Sequence, residues 1–269
     1  MDNKIKNAYC YYDRSVLKNP YDKRQSFMLH SHNTYELLFF EGGDAEYVIE
    51  DRKYQLTKND LVFIRPRMYH YIDLKSNAEY VRFNIAFDAD FVGKELLHSI
   101  PAETEVICCP PKSIIFENFK RMDYYQKALD EKEFFDILSG LLREIFYNIL
   151  LSNQSVAIPS EMSSLLSSAL GYINENLFTI KSLKEISDRL FITEAYLFKL
   201  FKNQLKISPK KYINSKRLLH AQKLIRRGKK PTDIYSECGF DTYVGFYKQY
   251  VKHFGFAPSR EGEAEPKES

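Results

Sequence analysis

Residues 182–260 decide the fold of the second half of the chain, and they read SLKEISDRLFITEAYLFKLFKNQLKISPKKYINSKRLLHAQKLIRRGKKPTDIYSECGFDTYVGFYKQYVKHFGFAPSR. This stretch contains two helix-turn-helix patterns, each with its own apolar stripe, and the segment between them has the features of one long helix. One such pattern is short and common. Two of them at a fixed offset indicate a unit that holds two similar helices in one arrangement.

The first pattern is bounded by two cap signals. Ser182 with Glu185 three residues later predicts a capping box at the start of one helix, and Thr193 predicts the N-cap of the next. The spacing on this second helix predicts a buried face of Leu197, Leu200 and Phe201. The opposite face, expected to be exposed, consists of Ala195, Phe198, Lys199 and Lys202.

The second pattern repeats this arrangement. Ile234 and Cys238 are expected on the buried side of a short helix that ends at Gly239, and Thr242 is expected to begin the next helix. The residues expected to face inward on that helix are Phe246, Tyr250 and Phe254. Those expected to face outward are Tyr243, Val244, Tyr247, Lys248 and Val251.

The segment between the two patterns predicts a rigid helical spacer. Ser208 and Pro209 have the character of an N-cap and a first helical residue, and Gly228 ends the helix. The span from Pro209 to Arg227 is roughly 28 Å long. Successive major-groove faces on one side of B-DNA lie ~34 Å apart, so such a spacer can hold both second helices against one duplex. The pattern therefore predicts a reader of double-stranded DNA that contacts two adjacent major-groove segments. The alternative is a generic helical bundle with a solvated, charged face.

The distribution of charge supports the DNA-binding prediction. Residues 160–258 contain 17 Lys and Arg and 8 Asp and Glu, a net charge of +9. Residues 1–159 contain 20 and 24, a net charge of −4, and the whole chain carries only +3. The basic half has the charge expected of a protein that binds a polyanion.

From about Leu170 to Arg260 the chain resembles the AraC family of bacterial transcription regulators. The matching positions are Tyr196, Leu197, Leu200 and Phe201, Ser208-Pro209 with Tyr212, Arg217 with Ala221 and Leu224, Gly239-Phe240, Phe246, Tyr250, Phe254-Gly255 and Pro258. The resemblance implies that bases are contacted from Ala195, Phe198 and Lys199 in the first unit, and from Tyr243, Val244 and Lys248 in the second. Lys202 and Tyr247 share those exposed faces and complete the expected DNA-binding set.

Three departures from the family pattern affect the expected operator rather than the fold. Tyr235 stands where the family usually has a small Ala. Val244 and Gly245 stand where Ser and an aromatic residue are common. Phe198 replaces a commonly polar reader, and its ring can contact a thymine methyl group.

The first half of the chain has a different pattern. Between Phe27 and about Phe91, short β-rich runs alternate with turns, and the runs are FMLHSH, YELLFF, EYVIE, RKYQL, DLVFI, YHYIDL and YVRFNIAF. Six or seven short strands at this spacing predict an antiparallel barrel or jelly roll. The predicted fold class is α+β multidomain. We expect a barrel at residues 1–110, a helical segment and linker at 111–158, an all-α domain with two helix-turn-helix motifs at 159–260, and a disordered tail at 261–269.

Within the barrel, His30, His32, Glu36 and Gly43 match the first cupin motif, and His70 takes the histidine place of the second. A cupin-like barrel ahead of paired helix-turn-helix motifs is a common layout of the AraC family, in which the barrel senses a small molecule. This resemblance implies effector contacts from His30, His32, Tyr35, Glu36, His70 and Arg82, with Tyr47 as a further barrel-facing candidate. No cofactor is expected. His30, His32, Glu36 and His70 would suit a borderline divalent metal, but sensory cupins often use such residues to line a pocket or to form hydrogen bonds.

After Pro110-Pro111 the apolar period lengthens to about 3.6 residues. One helix is predicted from Ile114, Ile115, Phe119 and Met122. A second has the stripe Phe134, Leu138, Leu141, Ile145 and Ile149, widened by Ile137, Leu142, Phe146 and Leu150. We expect this wide face to pack in part on the barrel and in part against a second copy of the chain. Residues 152–164 are the predicted interdomain linker.

Two further features of the sequence indicate the cellular compartment. Cys10, Cys108, Cys109 and Cys238 have no metal-ligand spacing and are expected to be free thiols. The chain begins without an apolar signal core, and its most apolar stretch is too short to span a bilayer. We therefore expect a soluble, cytoplasmic protein with no membrane partner.

Together these patterns predict a sequence-specific transcription regulator, not an enzyme, that responds to a small-molecule effector such as a carbohydrate or a derivative. The expected partners are double-stranded DNA, the effector and a second copy of the chain, with RNA polymerase as a further candidate. Two alternatives stay open at this point. One is a metal-dependent cupin enzyme tethered to DNA, and the other is an effector-independent regulator whose barrel serves only for dimerisation.

The charge division generates the first prediction. A fragment of residues 160–260 should bind DNA by itself, because it contains both helix-turn-helix patterns and the net positive charge. If it neutralises at least about six phosphates, affinity should fall about 10³-fold between about 50 and 200 mM salt. Fluorescence anisotropy of labelled duplex across this salt range measures the dependence. A flat response would contradict the prediction.

Overall fold

The computed structural model describes residues 3–20, 29–151, 157–161 and 163–261. The chain divides into two compact units, Met1–Ser160 and Glu161–Ser269. A two-residue strand, β10 (Ser160–Glu161), lies at their boundary. None of the helices in the described ranges is long and apolar enough to cross a membrane.

In the first unit most strands precede the helices, and β9 lies between the second and third helices. The strands are β1 (Asn3–Lys6), β2 (Cys10–Leu17), β3 (Tyr35–Gly42), β4 (Ala45–Ile49), β5 (Arg52–Gln55), β6 (Asp60–Ile64), β7 (His70–Leu74), β8 (Tyr80–Phe87) and β9 (Val106–Cys108). One sheet has the order β1-β2-β8-β3-β6-β9, and the other contains β5, β4 and β7 in that order. The pairings described within both sheets are antiparallel, as the short alternating runs predict.

Six of the seven predicted runs form strands, namely β3 to β8. The run FMLHSH does not. Its first two residues lie outside the described residues, and the rest makes only an isolated bridge between His30 and His70. The prediction also missed β1, β2 and β9. Strand β2 places Asp13 and Ser15 on a buried face, so its polar residues do not mark the solvent side, as polar residues in strands usually do.

The six-stranded sheet is buried on both faces, and each face has its own core. On β3, Leu37 and Phe39 belong to an outer core that the helices cover. Leu38 and Phe40 belong to an inner core shared with strands β4, β5 and β7. Successive side chains of a strand point to opposite faces, so the register of each strand decides which core a residue joins.

Four helices cover the outer core. They are α1 (Ala89–Val92), α2 (Lys94–Ser99), α3 (Ile114–Ala128) and α4 (Glu131–Leu151). Helices α3 and α4 were predicted, whereas α1 and α2 were missed because residues 1–110 were assigned to the barrel. All five members of the predicted α4 stripe are buried in the outer core, which confirms that this face packs on the barrel. Beside it, Tyr147, Leu150 and Leu151 stay exposed on α4, so Leu150 does not widen the buried face as predicted.

The predicted linker at 152–164 is in part attached to the first unit. Residues 152–156 lie outside the described residues. After them the backbone N–H of Ala157 donates to the carbonyl of Val106 at 2.9 Å, and the Ala157 side chain packs against the inner core. Residues 157–160 therefore belong to the barrel unit rather than to a free linker.

The second unit is helical. Its helices are α5 (Ser164–Glu175), α6 (Leu183–Arg189), α7 (Glu194–Leu205), α8 (Pro209–Arg226), α9 (Pro231–Ile234) and α10 (Tyr243–Phe254), followed by a short 3-10 helix at Pro258–Arg260. The predicted capping box at Ser182 and the predicted N-caps at Thr193, Ser208 and Thr242 are all present. Helix α8 has 18 residues, about 27 Å, and Gly228 follows it with a left-handed φ of 86°.

Arg217 on α8 connects the two helix-turn-helix motifs. Its guanidinium donates to the carbonyls of Leu177 (2.7 Å) and Ile180 (2.6 Å), which precede α6, and to that of Gly239 (2.9 Å), between α9 and α10. Gly239 has a φ of 81°, and a Cβ there would lie only 2.8 Å from Nε of Arg217. Only glycine therefore fits beside the arginine without a shift of the backbone.

The predicted disordered tail begins one residue too early. Glu261 is buried, and its carboxylate accepts hydrogen bonds from Gln222 (2.8 Å), Arg226 (2.8 Å) and the hydroxyl of Tyr250. Burial raises the pKa of Tyr250 above its usual range, and the carboxylate of Glu261 raises it further. Glu261 thus joins α8 to α10, and residues 262–269 lie outside the described residues.

The outer core generates a stability prediction. Leu138→Ala should lower the free energy of unfolding of the first unit by about 2–5 kcal/mol, because Leu138 is fully buried between helix and sheet. Leu151→Ala on the same helix removes the same atoms from a side chain that is 85% exposed, so it should change stability by at most about 0.5 kcal/mol. Urea unfolding followed by tyrosine fluorescence compares the two variants. Equal losses would contradict the assignment of the buried face.

Candidate nucleic-acid interface and barrel interior

Helix α7 presents the first predicted DNA-binding face. Its N-cap Thr193 accepts a hydrogen bond from the backbone of Tyr196 at 3.1 Å, which fixes the start of the helix. The side chains of Leu197, Leu200 and Phe201 are buried as predicted. All four predicted reader positions on this helix, Ala195, Phe198, Lys199 and Lys202, are exposed. The ammonium group of Lys202 lies 5.9 Å from the centre of the Phe198 ring, so the two side chains form one exposed patch.

Helix α10 presents the second face, with two corrections. Val244, Tyr247 and Lys248 are exposed, whereas Tyr243 is only half-exposed. The Tyr243 ring packs against Phe246 and, edge to face at 6.0 Å, against Tyr235. Tyr235 is larger than the Ala common in the family, and Tyr243 covers its additional surface. Tyr243 is therefore partly used in packing, and Val251, also expected outward, is half-buried as well.

Two exposed aromatic residues beside the first reader were not predicted. Phe191, in the turn before α7, is 94% exposed and has a left-handed φ of 54°. Tyr196 on α7 is also largely exposed. The sequence cannot distinguish such residues from core residues. It shows that a side chain is apolar, but not whether the turn directs that side chain toward the core or toward solvent.

The interior of the barrel contains buried polar side chains in addition to the inner core. Asp13 and Ser15 on β2 lie opposite Asn84 and Arg82 on β8, and opposed residues of antiparallel strands share a face. The same face carries Leu38 and Phe40 of the inner core. We call Asp13, Ser15, Arg82 and Asn84 the interior polar group. Of these, only Arg82 was predicted as an effector contact. Asp13 and Ser15 were missed because β2 had not been identified as a strand, and Asn84 was missed although its strand β8 was predicted.

Electrostatics and hydrogen bonding suit this group to a polar ligand. Burial would lower the pKa of Arg82, but the nearby Tyr80, Glu36 and Asp13 raise it above its ordinary value, so Arg82 stays charged. Among the described residues, the buried Oγ of Ser15 and Oδ1 of Asn84 have no hydrogen-bond partner. A buried polar atom left unsatisfied costs about 1–3 kcal/mol, and a bound ligand can supply the missing partner.

Tyr35 was predicted to contact the effector, and this prediction is wrong. Tyr35 precedes Glu36 on β3 and therefore points to the opposite face of the sheet. Its ring stacks between Phe63 and Phe87 at 5.8 Å from each, inside the outer core under the helices. The sequence could not show which of the two neighbours faced the interior, because both faces of this sheet are buried.

His30, His32, Glu36 and His70 come together at one end of the barrel, and we call them the histidine cluster. One ligand atom from each lies within 4.8 Å of the others. The Nε2 atoms of His32 and His70 lie 2.7 and 3.3 Å from the same carboxylate oxygen of Glu36. Glu36 and His70 are buried, whereas His30 and His32 are half-buried. The ring of Tyr47 stacks against His70 at 6.1 Å, so this predicted interior residue borders the cluster.

Glu36 is held as a carboxylate by its surroundings. Burial by itself would raise its pKa, but the two imidazoles of His70 and His32 hold the pKa well below its usual range. The three imidazoles and one carboxylate are the donor set that the sequence indicated. Among the described residues, they form a group whose geometry could hold a metal ion.

Comparisons with known proteins identify both units. A family model described as an AraC-like ligand binding domain matches residues 18–170, more than half of the chain. A second, described as a helix-turn-helix domain, matches residues 186–262. The chain is similar over nearly its whole length to the HTH-type transcriptional activator RhaS of Escherichia coli, with 22% identity over 259 residues, covering 91% of this chain and 90% of RhaS.

Two relatives with higher identity match over shorter stretches. The lactose operon transcription activator of Staphylococcus xylosus is 34% identical over 92 residues, or 34% of this chain and 33% of the activator. The probable transcriptional regulator LumQ of Photobacterium leiognathi is 32% identical over 90 residues, or 33% of this chain and 36% of LumQ. The matched stretch is thus about a third of the length of each of these two relatives.

Among solved structures, ToxT from Vibrio cholerae O395 matches over 94% of this chain and 97% of its own, with 14% sequence identity and a TM-score of 0.38. A superposition this loose carries no inference about function. The two family models and the near full-length match to RhaS are sufficient to assign the family without this structure. Because they describe a DNA-binding regulator with a ligand-binding domain, the enzyme alternative is removed. The chain belongs to the AraC family of transcription regulators.

Proposed function

We propose that this regulator activates transcription from operator DNA in response to a carbohydrate or a related polar molecule bound inside its barrel. The observation that carries the proposal is a set of polar side chains inside the barrel, the buried Asp13, Ser15 and Asn84 beside the half-buried Arg82, where a folded protein otherwise keeps apolar side chains. Within this group the buried Oγ of Ser15 and Oδ1 of Asn84 have no hydrogen-bond partner among the described residues, and burying such atoms is costly unless a partner satisfies them. The effector is the partner that this family of ligand-binding domains leads us to expect.

The chemistry of the interior favours a ligand with several hydroxyl groups. A hydroxyl both donates and accepts hydrogen bonds. Asp13 and Glu36 offer carboxylate acceptors, and Arg82 offers guanidinium donors. The amide of Asn84 offers both. The proposed effector contacts are His30, His32, Glu36, His70 and Arg82, joined by the interior polar group and without Tyr35. A relative that activates a lactose operon agrees with this class of effector.

The exposed faces of α7 and α10 support the DNA-binding half of the proposal. Lys199 and Lys248 occupy matching positions on the two helices. Each lies six residues after the N-cap of its helix, which is Thr193 for α7 and Thr242 for α10. The same spacing from each cap places both ammonium groups at one level of their helices. We propose that they read bases or the phosphates beside them, while Lys202 contacts the backbone and positions the complex.

The surface of α3 and α4 supports a homodimer. Tyr124, Tyr147 and Leu151 are exposed on these helices next to the buried stripe. Large contiguous apolar patches mark interaction surfaces, and we propose that these three side chains belong to such a patch. In the proposed function two copies pair here, act on DNA in the cytoplasm and recruit RNA polymerase. An effector-independent regulator, with a barrel used only for pairing, is the alternative that the binding experiment below separates.

The reader assignment generates a DNA-binding prediction. Lys199→Ala and Lys248→Ala should each cost about 1–3 kcal/mol in affinity for the selected operator and relax base preference at one position. Lys202→Ala should weaken binding to all sequences alike. Lys132→Ala, an exposed lysine on α4 of the first unit, is the matched control and should change nothing. Selection of DNA from a random pool, followed by anisotropy, measures both properties. If affinity and preference survive in both reader variants, the faces are misassigned.

The sensing proposal generates a linkage prediction. A panel of mono- and disaccharides is first screened by thermal shift, and the binder is then titrated by calorimetry with and without operator DNA. If the barrel is a sensor, operator should change the affinity for the sugar, by about 5–150-fold for a typical coupling, and the sugar should change the affinity for operator by the same factor. His32→Ala should weaken the sugar, and the exposed His98→Ala should not. Equal affinities with and without DNA would favour the effector-independent alternative.

A further inference from the structure

The turn between α6 and α7 is a Schellman motif, a common way to end a helix. The backbone N–H of Ile192 donates to the carbonyl of Ser187 at 3.0 Å, and that of Phe191 donates to the carbonyl of Asp188 at 3.2 Å. This pair of hydrogen bonds requires a left-handed residue just before Ile192. Phe191 is that residue, with a φ of 54°.

The turn before α10 has the same two hydrogen bonds but a different residue at the left-handed position. There the N–H of Phe240 donates to the carbonyl of Tyr235 at 3.0 Å, and that of Gly239 donates to the carbonyl of Ser236 at 2.9 Å. The left-handed residue is Gly239, with a φ of 81°. Glycine adopts this conformation readily because it has no Cβ, whereas other residues are less stable in it. The motif therefore needs only the backbone shape, and it does not require the aromatic side chain of Phe191.

Packing does not explain the phenylalanine either. Phe191 is 94% exposed, so burial of its ring adds almost nothing to the stability of the second unit. A bulky residue with a positive φ is an outlier among folded proteins. Residues held in such conformations cluster at functional sites, where a partner uses them. Phe191 is unfavourable in the turn and unpacked in the fold, so we look for its role in an intermolecular contact.

The position of Phe191 in the chain indicates which partner it meets. It lies two residues before Thr193, the N-cap of α7. In helix-turn-helix proteins the second helix lies in the major groove and its N-terminal residues contact base edges. A side chain just before that N-terminus is therefore expected at the edge of the groove, beside the sugar–phosphate backbone. On α7 itself, Tyr196 and Phe198 are exposed aromatic residues that follow Phe191 closely in the sequence.

The charge around the turn indicates which part of the DNA backbone is contacted. Residues 181–194 contain three Lys and Arg and three Asp and Glu, so this segment is electrically balanced. A balanced segment with an exposed ring is poorly suited to neutralise a phosphate. The apolar groups of DNA at the groove edge are the deoxyribose carbons, which an aromatic ring can cover.

We propose that Phe191 packs against the deoxyribose carbons at the edge of the major-groove segment that α7 reads. The contact adds affinity without reading a base, and it places the start of α7 against one strand. This inference rests on the proposed reader face of α7.

An apolar contact has a distinct signature in the salt dependence of binding. It neutralises no phosphate and releases no counterion, so its loss lowers affinity but leaves the slope of log affinity against log salt unchanged. Loss of a phosphate-binding lysine such as Lys202 instead reduces that slope by about 1. The two kinds of contact can therefore be told apart in one titration series.

The test uses the full chain and a duplex that the wild type selects from a random pool. Phe191→Gly and Phe191→Asn are compared with the wild type by anisotropy between about 50 and 200 mM salt. Affinity should fall about 10-fold, as expected for partial burial of one aromatic ring, with an unchanged salt slope. Glycine and asparagine both accept a positive φ, so hydrogen exchange in α6 and α7 should be no faster than in the wild type. A purely structural role would instead leave affinity unchanged in both variants.

Tyr9→Asn is the matched control, because it removes an exposed aromatic ring from the first unit, and it should bind DNA as the wild type does. A second measurement locates the contact directly. The photoreactive analogue benzoylphenylalanine, which inserts into C–H bonds, is placed at position 191 and, as a control, at position 9. Irradiation should crosslink the selected duplex to position 191 and not to position 9.

Wild-type affinity in both Phe191 variants, a changed salt slope or absence of the crosslink at position 191 would overturn the proposal. Reduced transcription with unchanged DNA affinity would also overturn it, since the ring would then serve contact with RNA polymerase. Lys199→Ala is measured in parallel. If Lys199→Ala loses affinity and the Phe191 variants do not, only this inference fails. If Lys199→Ala binds normally, the reader face itself is misassigned.

Discussion

Burial of the six-stranded sheet on both faces is the constraint on which the first unit depends. Side chains alternate along each strand, so every strand serves two cores. On β8, Phe83 and Ile85 enter the outer core, while Arg82 and Asn84 face the interior. A slip of one residue would exchange these sets and bury a guanidinium under the helices. The polar interior therefore exists only because the register is held by β2 on one side of β8 and by β3 on the other.

In the second unit a buried arginine has the corresponding role. The guanidinium of Arg217 donates hydrogen bonds to three backbone carbonyls that lie outside the helices. Because each of these groups would be costly to bury alone, the arginine and the carbonyls hold one another in place. Glu261 acts similarly near the C-terminal end of α8, where its carboxylate accepts from Gln222 and Arg226 of α8 and from Tyr250 of α10. The arrangement of the two readers thus rests on polar contacts as well as on the apolar stripe.

The histidine cluster and the interior polar group show how different local rules lead to one site. Glu36 reaches the interior through strand alternation, and His70 reaches it from the opposite sheet. Backbone carbonyls lie within hydrogen-bond distance of Nδ1 of His32 and of His70, so the fold orients both imidazoles. The same logic explains Tyr35: one position away from Glu36, it is an ordinary core residue.

The sequence by itself determined most of the helical unit from α6 to α10, including four N-caps, the length of α8 and the buried faces of α7 and α10, but it did not indicate α5. These features follow from local signals, since a cap acts within three residues and a helical face repeats every 3.6. It also determined six strands and the grouping of three histidines with Glu36, through a motif of fixed spacing. Only the tertiary structure decided that β2 lies beside β8, that Asp13 and Asn84 face the interior, that Tyr35 and part of Tyr243 are used in packing, and that Glu261 is anchored. Those outcomes depend on partners distant in the chain. The residues next to a side chain in the sequence do not indicate which buried face it will join.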